Sequence, residues 1–273
     1  MKLSRFLSCC ALLLGLVVLG ASLANAAPTV EVPAGIDHAP WDALLKKYID
    51  ERGLVAYAKW KAEAADMKAL DDYLARLAVP ATTPAKGREE IAGLINAYNA
   101  FTIRWILPNY PTESIRKLDD SWGKARWTIG GHVVALDEIE HKNLRPLYGW
   151  RVHAIIVCAA RSCPPLQTTA YTAENLWPLT EQAYHAWLSR DDLNRYDPKT
   201  GRVDISPIFK WFKDDFTGTG ELSVVLAKFG PEKLGAFFQK ADFKVDYMDY
   251  HWGLNDQGGL GKDYRHGLLG RFL

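Results

Sequence analysis

The chain has 273 residues, with 33 basic and 32 acidic side chains. This near-neutral balance argues against a nucleic-acid-binding protein that depends on contacts to phosphate groups. A hydrophobic fraction of 48% and ten tryptophans exclude the disordered class and allow a large core.

The N-terminal residues 1–26 have the features of a secretory signal peptide. Two basic residues precede an uncharged apolar run that ends in small residues, which predicts cleavage after Ala26. The run is shorter than the roughly 20 residues that cross a bilayer, so we expect no stable membrane span after cleavage. We therefore expect a periplasmic or secreted protein, with an N-terminal lead over residues 27–36 and a single domain over residues 37–273.

Helical periodicity dominates the region that follows. Between Trp41 and Leu77, apolar residues recur at intervals of three and four, which predicts two helices broken near Gly53. A further helix is predicted from Arg88, with acidic residues in its first turn, where the helix dipole favours them. Pro108 is expected to stop this helix.

The middle of the chain combines hairpin and helix patterns. Alternating apolar residues on either side of Gly130 and Gly131 predict a hairpin, and residues 195–206 predict another. Asp137 is expected to cap a short helix. Residues 153–160, HAIIVCAA, are compatible with a buried strand or a helical segment, because their periodicity does not separate the two.

The C-terminal third is predicted to be mainly helical. Residues 170–190 predict a helix that begins near Thr172 and Asn175. Further helices and a last strand are predicted over residues 207–215, 220–229, 231–240 and 242–255. The fold class is therefore α+β: a mostly helical single domain with a small, largely antiparallel β-sheet.

The stretch CAARSC contains the two cysteines of the expected mature chain, Cys158 and Cys163. In an oxidising compartment such a pair favours a disulfide, which would pin the turn. Alternatively, Cys163 is a nucleophile whose thiolate is favoured by Arg161 and by the polar turn that contains Ser162. Two inert thiols are a third interpretation. A zinc site is disfavoured because further ligands at motif spacing are absent from the sequence.

A catalytic thiol needs a base, and two histidines are candidates. His141 has Glu138 three residues before it and Glu140 beside it, so a carboxylate could orient its imidazole. His153 begins an apolar run and is also compatible with a satisfied core histidine. Glu138 and His141 match half of a di-metal helix motif, but no second copy follows, so we expect neither a metal nor a cofactor.

Asparagines form the remaining candidate polar network. Asn96 and Asn99 lie on one face of an otherwise apolar helix, where each buried amide needs a partner. They are expected either to tie the helix to a loop or to orient a catalytic group. Asn255 is expected at the end of the last strand. Asp214 and Asp215 are predicted to face solvent, which disfavours a glycosidase.

Five motifs together resemble the domain of unknown function 547 family. They are INAYNAFTI (95–103), ALDEIEHKNLR (135–145), VHAIIVCAARSCPPL (152–166), ISPIFKWFKDDF (205–216) and YHWGLN (250–255). Phe212 and His251 depart from the tyrosine and aspartate that are usual in the family. The resemblance implies one fold unit and the export typical of bacterial members, but no activity. Some eukaryotic members look similar but carry serine at the position of Cys163, which weakens a mechanism that depends on that cysteine.

Two functions follow from these patterns. The first is a thiol-dependent hydrolase or acyl transferase for an amide or thioester, in which Cys163 attacks and His141 transfers the proton. Glu138 or Asn255 would orient the imidazole, and an asparagine amide would stabilise the oxyanion. The alternative is a non-catalytic periplasmic domain with a structural Cys158–Cys163 disulfide, which binds a small molecule or peptide.

Overall fold

The computed structural model describes residues 30–217, 222–240 and 242–264. The predicted signal peptide lies outside these residues. Within them the α-helices are α1 (Ala39–Tyr48), α2 (Tyr57–Ala62), α3 (Ala64–Ala78), α4 (Arg88–Asn109), α5 (Arg145–Tyr148), α6 (Leu176–Leu188), α7 (Ile208–Trp211), α8 (Lys213–Thr217), α9 (Leu222–Phe229) and α10 (Gly235–Gln239). The strands are β1 (Trp127–Ile129), β2 (His132–Val134), β3 (Arg195–Asp197), β4 (Arg202–Ile205) and β5 (Lys244–Tyr247). The predicted α+β class is confirmed.

Helix α4 is the central element of the core. Its residues from Ile91 to Ile103 are all buried, and it packs against α2, α3 and the helical segment Glu138–Leu144. The predicted start at Arg88 is confirmed. The helix continues one residue past Pro108, because a proline in the last turn removes a single backbone hydrogen bond and leaves the preceding turns intact.

The break near Gly53 is confirmed, but a further break was not predicted. Residues 49–56 form a turn in which Gly53 has a φ of +73°. Glu63 is extended and separates α2 from α3, so three helices form where two were predicted.

The strands form two small sheets. Strands β1 and β2 pair in antiparallel register around Gly130 and Gly131, whose φ angles are +57° and +84°, as the hairpin pattern predicted. Strand β4 pairs antiparallel with β3 and parallel with β5. The last strand therefore ends at Tyr247, and Asn255 lies in irregular chain rather than at a strand end.

The helix predicted after Asp137 is a π-helix over Glu138–Leu144, followed by α5 and a 3₁₀ segment over Gly149–Ala154. Asp137 makes no side-chain cap; instead Glu138 accepts a hydrogen bond from the Ala135 backbone N–H, 3.1 Å away. π-Helical turns are rare and are frequently found at functional sites.

The predicted start of α6 is confirmed by reciprocal hydrogen bonds. The Thr172 backbone N–H donates to the Asn175 side chain at 2.8 Å, and the Asn175 N–H donates to the Thr172 hydroxyl at 3.2 Å. At the other end of the chain, Val30 and Val32 are buried in the core. The described part of the lead is thus packed against the helices. No helix within the described ranges is both long and apolar enough to cross a bilayer.

Candidate functional site

The centre of the candidate site is the pair of sulfur atoms of Cys158 and Cys163. The structure contains no bond between the two sulfur atoms, which lie 2.8 Å apart. The Tyr250 hydroxyl lies 3.2 Å from Cys163 Sγ and 3.7 Å from Cys158 Sγ. We call these three side chains the thiol site. The predicted disulfide stays a prediction.

The turn between the two cysteines is held by a segment about ninety residues further along the chain. Residues 159–162 run antiparallel to residues 251–255: the Arg161 N–H donates to Gly253 O at 2.8 Å, and the Asn255 N–H donates to Ala159 O at 2.9 Å. Ala159 has a φ of +60°, a conformation that non-glycine residues rarely adopt. This pairing brings Tyr250 against the sulfur atoms.

The side chains of Ser162 and Arg161 support this turn. The Ser162 hydroxyl accepts a hydrogen bond from the His251 N–H at 2.8 Å, and the Arg161 guanidinium donates to Asp256 O at 3.0 Å. His251 accepts from the Gly253 N–H at its Nδ1, so its Nε2–H donates to Lys262 O, 2.7 Å away. This histidine therefore acts as a structural link.

Asn99 fixes the chain that leads into Cys158. Its side chain donates to Ile155 O and accepts from the Val157 N–H, both at 2.9 Å. Asn96 makes the corresponding pair of bonds with Tyr171, at 2.8 and 3.0 Å. Residues 155–157 form neither of the predicted alternatives, because the Asn99 side chain bonds to their backbone in place of a strand or helix partner. Both asparagines thus tie α4 to neighbouring loops.

The electrostatics of the thiol site are asymmetric. Burial acts to raise the pKa of Cys163, but hydrogen bonds from Cys158 and Tyr250 outweigh it and lower that pKa. The hydrogen bond to Cys163 and burial both raise the pKa of Cys158. Burial also raises the pKa of Tyr250, so its hydroxyl keeps its proton. Both directions favour Cys163 as the thiolate of the pair, with Cys158 and Tyr250 as its hydrogen-bond donors.

Two buried tyrosines flank the thiol site. Burial raises the pKa of Tyr57 and of Tyr98, and the carboxylates of Asp256 and Glu140, respectively, raise these two pKa values further. The Tyr57 hydroxyl donates to Asn255 Oδ1 at 2.9 Å, and the Tyr98 hydroxyl donates to Glu140 Oε2 at 3.2 Å. Burial raises the pKa of Glu140 to about 7. Tyr98 thus lies between a buried carboxyl group and the cysteines.

The predicted base, His141, is placed away from the sulfur atoms. Its polar neighbours include Arg145, whose guanidinium lies 3.1 Å from Nδ1, and the carboxylates of Asp137 and Glu140, each at 3.9 Å. Glu138 faces Lys142 at 2.8 Å. Within the described ranges, neither His141 nor His153 forms a hydrogen bond with a cysteine. The catalytic roles predicted for Cys163, His141, Glu138 and Asn255 stay predictions.

His153 belongs to a buried polar cluster beside the π-helix. Its Nε2 lies 2.7 Å from Asp215, which also receives two hydrogen bonds from Arg145 at 2.7 and 2.8 Å. Burial lowers the pKa of His153, so the neutral ring donates through Nε2–H. The prediction that Asp215 faces solvent is wrong, because α8 turns this carboxylate inward while Asp214 stays exposed. Phe212 stacks on the His153 ring with centroids 4.1 Å apart.

Sequence reasoning missed four residues of these two clusters. Tyr250 is the first residue of the motif YHWGLN. Its aromatic hydroxyl was the only feature of the sequence that indicated a site residue there. Tyr57, Tyr98 and Arg145 lie in helical patterns that are typical of core or surface residues.

Two half-buried indoles, those of Trp211 and Trp252, pack on Tyr250 at centroid distances of 4.8 and 4.7 Å.

No group of three or more histidine, cysteine or acidic side chains in the described ranges is arranged to hold a metal ion. The fold and the site together define an α+β protein with a buried, asymmetric pair of thiols. Residues 83–188 match the family model described as "Protein of unknown function, DUF547". The resemblance inferred from the motifs is confirmed there.

The matched range contains both cysteines, Asn96, Asn99 and the π-helix, whereas Tyr250 and Asn255 lie beyond it. A comparison with curated proteins found no match. A comparison with solved structures also found none.

Proposed function

We propose that the protein is a thiol-dependent hydrolase or acyl transferase in which the Cys163 thiolate attacks the carbonyl carbon of an amide or thioester. One observation carries the proposal: Cys163 Sγ lies 2.8 Å from Cys158 Sγ and 3.2 Å from the Tyr250 hydroxyl, and each of these groups can donate a hydrogen bond to it. These donors stabilise the thiolate, which is the nucleophilic form. The reaction then needs no histidine in contact with the sulfur.

The attack forms a bond between Cys163 Sγ and the carbonyl carbon, and the carbonyl electron pair moves to oxygen. Collapse of this intermediate expels an amine or thiolate. The Cys158 thiol supplies the proton to the leaving group, because it retains its proton after Cys163 has ionised. Water or a second nucleophile then releases the acyl group from Cys163. Export to the periplasm is a separate proposal, and it rests on the sequence of residues 1–26.

The proposal is tested with S-phenyl thioacetate and the reduced protein at neutral pH, with intact mass as the readout. We expect an acetyl group on Cys163 in the wild type and none in Cys163→Ser. Equal acetylation of both proteins would overturn the proposal. Cys158→Ala is expected to accept the acetyl group more slowly, because alanine supplies neither a hydrogen bond to the thiolate nor a proton to the leaving group.

Tyr250→Phe tests the contribution of the hydroxyl. Loss of its hydrogen bond should raise the pKa of Cys163 and slow its alkylation by iodoacetamide at pH 7 by about threefold to tenfold, since a hydrogen bond to a charged group contributes about 1 kcal/mol or more. Tyr247→Phe is the matched control, because Tyr247 is exposed on β5. Equal rates for the two variants would contradict the role of Tyr250.

The alternative from a different class is a non-catalytic domain that binds a small molecule or peptide. The observation in its favour is the same separation of 2.8 Å, from which a small movement would form a disulfide. A protein purified without reductant would then take up no iodoacetamide until it is reduced, and the reduced form would accept no acetyl group.

A further inference from the structure

The thiol site combines two features of cysteines that react with peroxides. Cys163 is the thiol that ionises first, and a second thiol lies beside it at 2.8 Å. Reactive cysteines in redox proteins commonly stand next to a second cysteine that resolves the oxidised sulfur. We propose that small hydroperoxides oxidise Cys163 to a sulfenic acid and that Cys158 resolves it to a reversible disulfide.

The burial of Cys163 limits the size of the oxidant that can reach its sulfur. Only 5% of Cys163 is exposed, and Trp211 and Trp252 pack around the neighbouring Tyr250. A bulky disulfide must align its sulfur atoms with the attacking thiolate, which this burial hinders. Hydrogen peroxide has only two heavy atoms and needs a far smaller opening. The class of oxidant that fits is therefore a small hydroperoxide.

The chemistry balances without a bound cofactor. The Cys163 thiolate attacks one peroxide oxygen, the O–O bond breaks, and the departing hydroxide takes a proton to leave as water. The Cys158 sulfur then attacks the sulfenic sulfur and forms the S–S bond. The hydroxyl group leaves as a second water with the proton from Cys158. In total, two thiols and one peroxide give one disulfide and two waters, and an external dithiol restores the thiols by attacking the sulfur of Cys158, the less buried of the two cysteines.

The backbone holds the two sulfur atoms together throughout this cycle. Residues 159–162 are paired with residues 251–255, and Asn99 fixes the chain on the other side of Cys158. Closing the S–S bond requires the sulfur atoms to approach to about 2.05 Å, which is less than 1 Å of movement. The resolving step therefore needs no rearrangement of the fold.

This inference rests on the reactive thiol of the proposed function but not on its acyl chemistry. While the disulfide is present, Cys163 cannot attack a carbonyl. Oxidation by hydroperoxide would thus switch off acyl transfer, and reduction would restore it.

The experiment treats the reduced, full-length mature protein with an equimolar amount of hydrogen peroxide and follows intact mass. We expect the wild type to lose the mass of two hydrogen atoms, with recovery after dithiothreitol. The oxidation rate at pH 7 should exceed that of free cysteine by about tenfold or more, because an ordinary thiol is only a few per cent ionised there.

Two variants identify the step. Cys158→Ser should stop at the sulfenic acid, gain the mass of one oxygen atom and react with dimedone; Cys163→Ser should do neither. Serine is close to cysteine in size, and retained thermal unfolding of both variants confirms that they fold. Dimedone labelling of Cys158 in place of Cys163 would overturn the assignment.

The same samples separate the two proposals. Rapid iodoacetamide uptake or acetylation at Cys163 without peroxide oxidation would overturn the redox inference and leave the proposed function standing. Oxidation through a sulfenic acid without acetyl transfer would overturn the proposed function and leave the redox inference standing. A wild type that is already a disulfide and resists dithiothreitol would overturn the reversible pair and favour the binding domain.

Discussion

Single side chains in this protein change their chemistry because of what surrounds them. Glu140 and Glu138 lie two positions apart in the same π-helix, yet burial raises the pKa of Glu140 to about 7, while the hydrogen bond with Lys142 lowers the pKa of Glu138. Only Glu140 therefore changes its charge near neutral pH. The sequence offered both as candidate polar groups, and they are distinguished by the burial of Glu140 and by the hydrogen bond between Glu138 and Lys142.

Replacing Glu140 with glutamine should make the free energy of unfolding less dependent on pH. The pKa of Glu140 is 4.5 in the unfolded chain and about 7 in the folded protein. Between these two pH values the Glu140 carboxyl keeps its proton in the folded wild type and has lost it in the unfolded chain. Glu140 therefore makes its whole contribution to stability below this pH range. About 3 kcal/mol of that contribution is lost as the pH rises through the range.

Urea unfolding of the wild type and Glu140→Gln at pH 5 and pH 8 measures this effect. The variant should gain stability relative to the wild type as pH rises. Glu138→Gln is the matched control, and it should show no such gain because the pKa of Glu138 is lowered rather than raised. A constant difference between Glu140→Gln and the wild type at both pH values would contradict the prediction.

At the scale of elements, a few side chains and turns decide where irregular chain runs. Asn99 on α4 makes two hydrogen bonds to residues 155–157. Asn99→Ala should destabilise the protein by about 2 to 3 kcal/mol, because it leaves a buried N–H and C=O without partners. Asn109→Ala on the same helix is the control: Asn109 is exposed and bonds only to Trp105 O, so a cost within about 0.5 kcal/mol is expected. Thermal and urea unfolding compare the two, and equal costs would contradict the role of Asn99.

Gly53 allows the turn after α1 to approach the prolines that follow Cys163. A Cβ atom on Gly53 would lie 2.5 Å from Pro165 Cα, and its φ of +73° is itself unfavourable for other residues. Gly35 has nearly the same φ, +74°, but open space around the position of a Cβ atom. Gly53→Ala should therefore cost more than Gly35→Ala, by about 2 kcal/mol in the free energy of unfolding, because backbone must move. Equal costs would mean that the turn can shift without strain.

Across the whole molecule, the Asp215 cluster links the π-helical region to α8. Burial acts to raise the pKa of Asp215, but hydrogen bonds from His153 and Arg145 outweigh it and hold that pKa well below its usual range. Asp215 therefore stabilises the fold at pH values above about 3.9, the pKa of an aspartate in the unfolded chain. This contribution is lost as the pH falls toward the lower pKa that Asp215 has in the folded protein.

Asp215→Asn should cost about 2 to 3 kcal/mol at pH 7, because Arg145 and His153 lose their charged partner in a largely buried setting. The difference from the wild type should shrink below about pH 4, where the unfolded carboxyl is already protonated. The neighbouring exposed Asp214→Asn is the control and should stay within about 0.5 kcal/mol. Urea unfolding at pH 7 and pH 3.5 tests both statements, and a cost that grows at acid pH would contradict them.

The sequence by itself determined the features that depend on neighbouring residues. Glycine pairs predicted the β1–β2 hairpin, helical periodicity and acidic residues predicted the start of α4, and Thr172 with Asn175 predicted the start of α6. The motifs around these elements also predicted the family. Each of these signals acts within a few residues, where backbone conformation and side-chain chemistry set the local structure.

Only the tertiary structure decided what surrounds the cysteines and the titratable groups. The contact between Tyr250 and Cys163 joins residues 87 positions apart, and the contact between His153 and Asp215 joins residues 62 positions apart. The parallel addition of β5 to β4 and the inward turn of Asp215 also depend on how distant elements pack. Such contacts are set by the packing of the whole core, which no local pattern encodes, and they determine which thiol ionises and which carboxyl keeps its proton.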